Sequence, residues 1–215
     1  MTYLQLVNEV LKRLREDTVT NVVSNDDVVA DMVVSLVNDA KRTVEDAHTW
    51  NVLNYEWSIP TVASTRLYGL TDANNYAKIG YILTTQGQPL TEVPLSRIRY
   101  LKAQGGANAK PTYYAVNGQD ANRDVRIEVY PAPDAVYTLD VYGFKAQEDL
   151  VNNDDVLLVP SKPVVYLALA LAARERGEVG GQTASEIFGM AKSYLTDAIA
   201  LDASLTELDN IWMTV

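Results

Sequence analysis

His48 is the only histidine in the chain and cysteine is absent. Thiolate nucleophiles, thiolate metal sites, disulfides and clusters of metal-binding histidines are therefore excluded. A Ser-His-Asp arrangement would have to use His48, whose place at a helix end beside Trp50 fits a C-cap better than a general base. Carboxylates pair at Asp26-Asp27 and at Asp154-Asp155, a combination that can act on a glycosidic bond. Both pairs stand in polar loops beside helix signals, where helix starts and turns call for the same residues. Asp120-Ala121-Asn122-Arg123-Asp124 imitates the opening of a calcium loop, but the sixth position lacks Gly and Pro131 stands where the bidentate Glu belongs, which leaves a hairpin loop. Gln104-Gly105-Gly106-Ala107 lacks the Lys-Ser/Thr ending of a phosphate-cradling loop. No catalytic group, metal or cofactor is expected.

Two groups of residues are better suited to recognition. Arg97, Arg99 and Lys102 form the one local basic cluster, readable as a solvated helix face or as a contact with an acidic neighbour. Of 13 tyrosines, Tyr113, Tyr114, Tyr130, Tyr137 and Tyr142 fall in one region, where they could stack on a sugar or a partner, or pack a sheet with hydroxyls at its rim. The chain carries 28 acids against 18 bases, a net charge of −10. Gripping nucleic-acid phosphates needs clustered cations, so this balance instead suits a passage through which nucleic acid slides without sticking.

The elements that must position these residues follow from hydrophobic period. Leu4, Val7, Leu11 and Leu14 mark an amphipathic helix over 2–16, with Thr2 and Gln5 spaced as a capping box. A second helix starts after Ser24-Asn25-Asp26-Asp27 and runs to about His48. From Trp50 the pattern alternates, with strands expected at 55–59, 66–70, 78–85, 88–93, 112–117, 124–130 and 136–145, and a short helix at 95–103. Residues 164–173, Val-Val-Tyr-Leu-Ala-Leu-Ala-Leu-Ala-Ala, hold no charge and are too few to cross a bilayer. Their Leu and Ala content favours helix, entered through Pro160 and Pro163 and ended at Gly177. Fully burying Val164, Val165, Leu167, Leu169 and Leu171 would contribute roughly 8–15 kcal/mol, so this helix needs cover on most sides. A last helix follows the box Thr183-Ala184-Ser185-Glu186, and the end keeps three large apolar residues, Ile211, Trp212 and Met213, either tucked onto the chain's own bundle or offered as an anchor.

The expected fold is thus α+β: a helical bundle from the N- and C-terminal helix pairs (1–49 and 160–203), an inserted β-rich sandwich or barrel-like domain (50–159), and a C-terminal arm (204–215). Leu167, Ala170, Leu171 and Ala173 are the candidates for close packing within the bundle or between subunits. The start of the chain shows no targeting pattern, so a cytoplasmic product is expected.

Several stretches in this order resemble a known family. They are Tyr3-Leu4-Gln5-Leu6-Val7-Asn8-Glu9-Val10-Leu11-Lys12-Arg13-Leu14, Trp50 with Trp57, Lys110-Pro111-Thr112-Tyr113-Tyr114, Ile127-Glu128-Val129-Tyr130-Pro131-Ala132-Pro133-Asp134, Tyr137-Thr138-Leu139-Asp140-Val141-Tyr142, and Asp155 followed by Pro160 and the Ala-rich helix. The chain resembles the head-to-tail adaptors of tailed bacteriophages, the group of tail tubular protein A and related portal-connecting gatekeepers. The resemblance implies a structural virion protein of the neck, assembled as a homo-oligomeric ring, usually of twelve copies, under the portal protein. It implies that DNA passes through without specific binding and that no membrane is involved. By analogy the portal contact falls on Leu205, Leu208, Ile211, Trp212 and Met213, and the contact with the next tail component, a nozzle or tail tube, on Tyr113, Tyr114, Arg97 and Arg99. A carbohydrate-binding or cell-wall-degrading virion protein and a non-viral β-rich binding module are the alternative readings.

Overall fold

Thr2 starts the first helix as its spacing predicts: its hydroxyl accepts the Gln5 amide, and the Gln5 side chain accepts the Thr2 amide at 3.1 Å. This capping box opens the computed structural model, which describes residues 1–24, 27–73, 77–177 and 182–206. Among them are five helices and seven strands, divided between two units: Met1–Leu53 with the chain from Gln147 onward, and Asn54–Ala146.

In the helical unit, α1 (Tyr3–Arg13) ends earlier than its periodicity suggests. Arg15 adopts a left-handed φ of 60°, and the Glu16 amide reaches back to the Leu11 carbonyl at 3.0 Å, a Schellman ending built without glycine. The segment 150–157 meets the other end of α1. The Asp155 carbonyl accepts the Tyr3 amide at 2.8 Å and the Asn153 carbonyl accepts that of Leu4 at 3.2 Å, so the free donors of the first turn are satisfied. α2 (Val28–Ala47) is capped by Asp27, whose carboxylate accepts the Val29 amide at 2.8 Å. α4 (Ser161–Glu175) packs on α1, α2 and α5 (Gln182–Thr206). The core is made mainly by α1, α2 and α4, while α5 adds the buried Ala191 and partly buried residues such as Ile187, Leu195 and Ile199. The expectation of one bundle from the N- and C-terminal helix pairs is met only in part: α1, α2 and α4 share the buried core, and α5 lies along α4.

On α4 the alternation of Leu and Ala meets a period of 3.6, which places both residue types all round the helix. Val164, Val165, Leu169 and alanines 168, 170, 172 and 173 are buried, whereas Leu167 and Leu171 are only half-buried. The expected full burial of these two leucines is therefore corrected. They lie four residues apart on one face, and the alanines at 168, 170, 172 and 173 lie in the buried part of the helix.

The β unit is one mixed sheet in the order β1-β7-β3-β4-β5-β6-β2, curled into a nearly closed barrel. Its strands are β1 (Asn54–Pro60), β2 (Leu67–Gly69), β3 (Lys78–Thr84), β4 (Pro89–Glu92), β5 (Tyr113–Gln119), β6 (Val125–Tyr130) and β7 (Thr138–Phe144). All neighbours are antiparallel except β4 and β5. A parallel pair needs a crossover, and α3 (Leu95–Ala103) lies in it, packed on β5 and β6 with Ile98 fully buried. Alternate residues fill the interior, among them Trp57, Ile82, Tyr114, Ile127, Val129, Leu139 and Val141. Residues 147–159, expected with the β-rich block, run with the helical unit.

Candidate functional site

Four of the residues singled out for catalysis or metal binding, His48, Asp27, Asp120 and Asp155, have structural employment. His48 is the C-cap of α2; its Nε2 stands 3.1 Å from the Asp202 carboxylate of α5, and its ring meets Trp50 edge-on at 5.1 Å. Asp202 also accepts the Asn51 amide at 3.1 Å, so it ties the ends of α2 and α5 together. Nothing in its sequence neighbourhood announced that partner. The Asp155 carboxylate accepts the Val151 and Asn152 amides, each at 2.7 Å, and these bonds hold its pKa below the ordinary carboxylate range. Asp120 accepts the Asn122 and Asp124 amides at 2.8 and 3.0 Å, which makes the suspected calcium loop a hairpin turn. Asp27 is the cap of α2, and Asp26 lies outside the described residues. No group of acidic and histidine residues among the described residues could hold a metal ion. At the glycine pair, a Cβ on Gly106 would come within 2.8 Å of the Tyr130 hydroxyl, so close packing explains that residue.

Two polar joints inside the helical unit were not visible in the pattern. Lys41 and Glu45 are both buried on α2, 3.4 Å apart, and the Lys41 ammonium donates to the Gln147 carbonyl at 2.7 Å. Burial pushes the lysine pKa down and the glutamate pKa up, each partner opposing the shift of the other. Asn38 accepts the Leu150 amide at 2.9 Å and donates to the Leu150 carbonyl and to the Tyr3 hydroxyl. In sequence, a Lys-Glu pair four apart reads as a solvated helix face. The clue available was its position beside Ala40 and Val44 in the apolar stripe.

What remains exposed is suited to contact. On α3, Ile98 points inward and Lys102 reaches the buried Glu128 at 2.6 Å, so the basic cluster loses one member to an internal pair. Tyr100 is 52% exposed, with Arg97 and Arg99 exposed on either side of it and the Arg97 guanidinium 5.4 Å from its ring. The structure separates the Tyr113-Tyr114 pair: Tyr113 lies on the outside, whereas Tyr114 is buried in the barrel with its hydroxyl 3.4 Å from Glu92. Successive residues of a strand face opposite sides, so Tyr114 offers no ring to a partner in this fold. Tyr142, one of the tyrosines named for stacking, is stacked instead on Tyr81, with ring centroids 4.8 Å apart on neighbouring strands.

On α2, Asp31, Asp39 and Asp46 are exposed along one side of the helix with Ser35 and Thr43, and among the described residues none of the three has an ion-pair partner. Arg42, on that side, is held by Asp149 at 3.1 Å. Ala170 and Ala173 are buried in the helical unit. On α5, Leu201 and Leu205 are exposed one turn apart; Leu208, Ile211, Trp212 and Met213 lie outside the described residues. Charge divides with the units: residues 54–146 hold 8 acids and 9 bases, and the remainder holds 20 acids and 9 bases, a net of −11. Among the described residues no helix is long and apolar enough to cross a membrane.

No curated protein matches the chain. A family model does match, that of the SU10 adaptor protein, over residues 1–210 and thus across both units. This match shows that the chain belongs to the SU10 adaptor protein family of phage structural adaptors.

Proposed function

We propose that the chain is a head-to-tail adaptor that assembles as a ring beneath the portal of a tailed phage, joins the capsid to the next tail component and lines the path by which DNA leaves. The observation that carries this reading is the family match across both units. The charge supports it. A helical unit with a net of −11 repels phosphates over the Debye length of about 8 Å at physiological salt, which favours sliding over binding. Twelve copies would match the common geometry of such rings. The portal contact is assigned to the end of the chain, from Leu205 through Leu208, Ile211, Trp212 and Met213, where a Trp between Ile and Met has the composition of an interface anchor. Tyr113, Arg97 and Arg99 are candidate contacts of the β unit.

Electron microscopy of the protein mixed with portal-filled heads tests this directly, the expected outcome being a closed ring at the portal vertex. Removal of residues 210–215 should abolish docking while helical content measured by circular dichroism is retained. Docking unchanged by that truncation would move the portal contact elsewhere on the molecule.

A further inference from the structure

The exposed side of α3 has the make-up of a protein contact. Arg and Tyr are the residue types that dominate binding hot spots, and here a half-exposed Tyr100 stands between Arg97 and Arg99 on a helix anchored through Ile98 and the Lys102–Glu128 pair. An anchored helix presents these groups at little cost in ordering. No acid among the described residues pairs with either arginine. The complementary feature is on the same chain: the outer side of α2 carries Asp31, Asp39 and Asp46, without ion-pair partners among the described residues and with hydroxyls between them, on a 20-residue helix whose other side is packed in the core. The Ser35 and Thr43 hydroxyls are turned back onto the carbonyls of Asp31 and Asp39, at 3.3 and 2.9 Å, which leaves the carboxylates, together with the Arg42–Asp149 pair, as the features of that side.

We propose that α3 of one copy docks on the outer side of α2 in the next copy, with Tyr100 as the apolar centre and Arg97 and Arg99 facing Asp31 and Asp39. The occupant is a second copy of this chain, because each copy carries one basic and one acidic helix of matching character. Two different surfaces in contact make a head-to-tail interface, the kind that closes into a ring when the rotation allows. Two free arginines are too few to hold nucleic acid at physiological salt in a chain of net charge −10. This inference rests on the ring reading above and names the surfaces that would build it.

The absence of native cysteine makes the test clean. Arg97→Cys and Asp39→Cys are prepared separately and, full length, assembled together on portal-filled heads, then treated with a short bis-maleimide. A covalent dimer in the mixture and in neither variant alone is expected. The chain carrying both substitutions should give a ladder of oligomers rather than a cross-linked monomer. In parallel, Arg97→Glu with Arg99→Glu should reduce ring occupancy at least about tenfold, as should Asp31→Arg with Asp39→Arg, and the chain carrying all four changes should recover it. Rings that form without the cross-link, or that tolerate either pair of reversals, overturn the inference and leave the adaptor reading standing. Wild-type protein that forms no ring on the heads overturns both. Loss of duplex-DNA retention in the Arg97→Glu, Arg99→Glu variant, with ring occupancy unchanged, would reassign α3 to nucleic acid.

Discussion

In the helical unit the segments that share a core come from the two ends of the chain, whereas residues 54–146 close their barrel from one continuous stretch. The first arrangement needs joints between distant segments, and it uses polar ones. Asn38 binds the Leu150 backbone, Lys41 binds Gln147, and Asp202 joins His48 and Asn51. The β unit has buried polar groups too, Glu128 held by Lys102 and Asp124 bound by the Asp72 amide, but they join residues of one continuous stretch, beside the strand ladder and the alternate residues that fill it. Buried polar joints specify one arrangement at a cost in desolvation, so in the helical unit a single polar change loosens segments from the two ends of the chain. Charge adds to the contrast, since self-repulsion at a net of −11 falls on that half alone.

Hydrogen exchange read by mass spectrometry can follow the two halves separately, and substitutions chosen in each should break the symmetry in opposite directions. Lys41→Met leaves Glu45 buried without its cation and should destabilise the helical unit by about 3–5 kcal/mol, with β-unit protection unchanged; replacing Glu45 by Met in addition should recover much of the loss. Gly143→Ala strikes the other half. A Cβ there would collide with the Lys78 carbonyl oxygen and lie 3.2 Å from the Ile79 Cα, at the irregularity between Ile79 and Tyr81, and about 3 kcal/mol should be lost from the barrel alone. Ala170→Leu overpacks α4 and should cost the helical unit about 2 kcal/mol; a fully stable variant would mean that α4 has looser cover than its zero exposure indicates.

The smallest effect sharpens the comparison through one phenol in each half. Burial first, and then the neighbouring Asp149 and Asp155, push the Tyr3 pKa from 10.0 to about 12; burial and Glu92 do the same for Tyr114. Each pKa is raised above its unfolded value. The stability each phenol contributes is therefore complete below pH 10.0 and is lost as pH rises towards about 12. Tyrosinate absorbance should show Tyr3 and Tyr114 among the late-titrating groups. Tyr3→Phe should remove one of them and cost the helical unit about 1 kcal/mol through the bonds to Val34 and Asn38, while Tyr114→Phe removes the other.

Much of this architecture is written in local pattern. The Thr2–Gln5 box, the 95–103 helix and the positions of all seven strands follow from capping residues and from periods of 3.6 and 2. What escaped depends on neighbours distant in sequence. The strand order, with β7 between β1 and β3, leaves no trace within any one strand. The burial of Lys41 and Glu45 is set by which helix lies over them, and the pairing of His48 with Asp202 spans 154 residues. For the candidate surfaces, residue type pointed to Arg97 and Arg99, but which tyrosine of the Tyr113-Tyr114 pair faces outward depended on the sheet register, and Lys102 of α3 was lost to Glu128 on β6. The acids of α2 were in plain view at spacings of a helix face and were read only as charge.

The pairing of β1 with β7 sets Asn54 opposite Phe144, so the barrel begins and ends on adjacent strands, about 5 Å apart. A gap of that size is bridged by one or two residues. In evolutionary terms residues 54–146 form a cassette: a recombination event can replace it by matching only two neighbouring strand ends, so one half of the adaptor can be exchanged without rewriting the helices that precede and follow it.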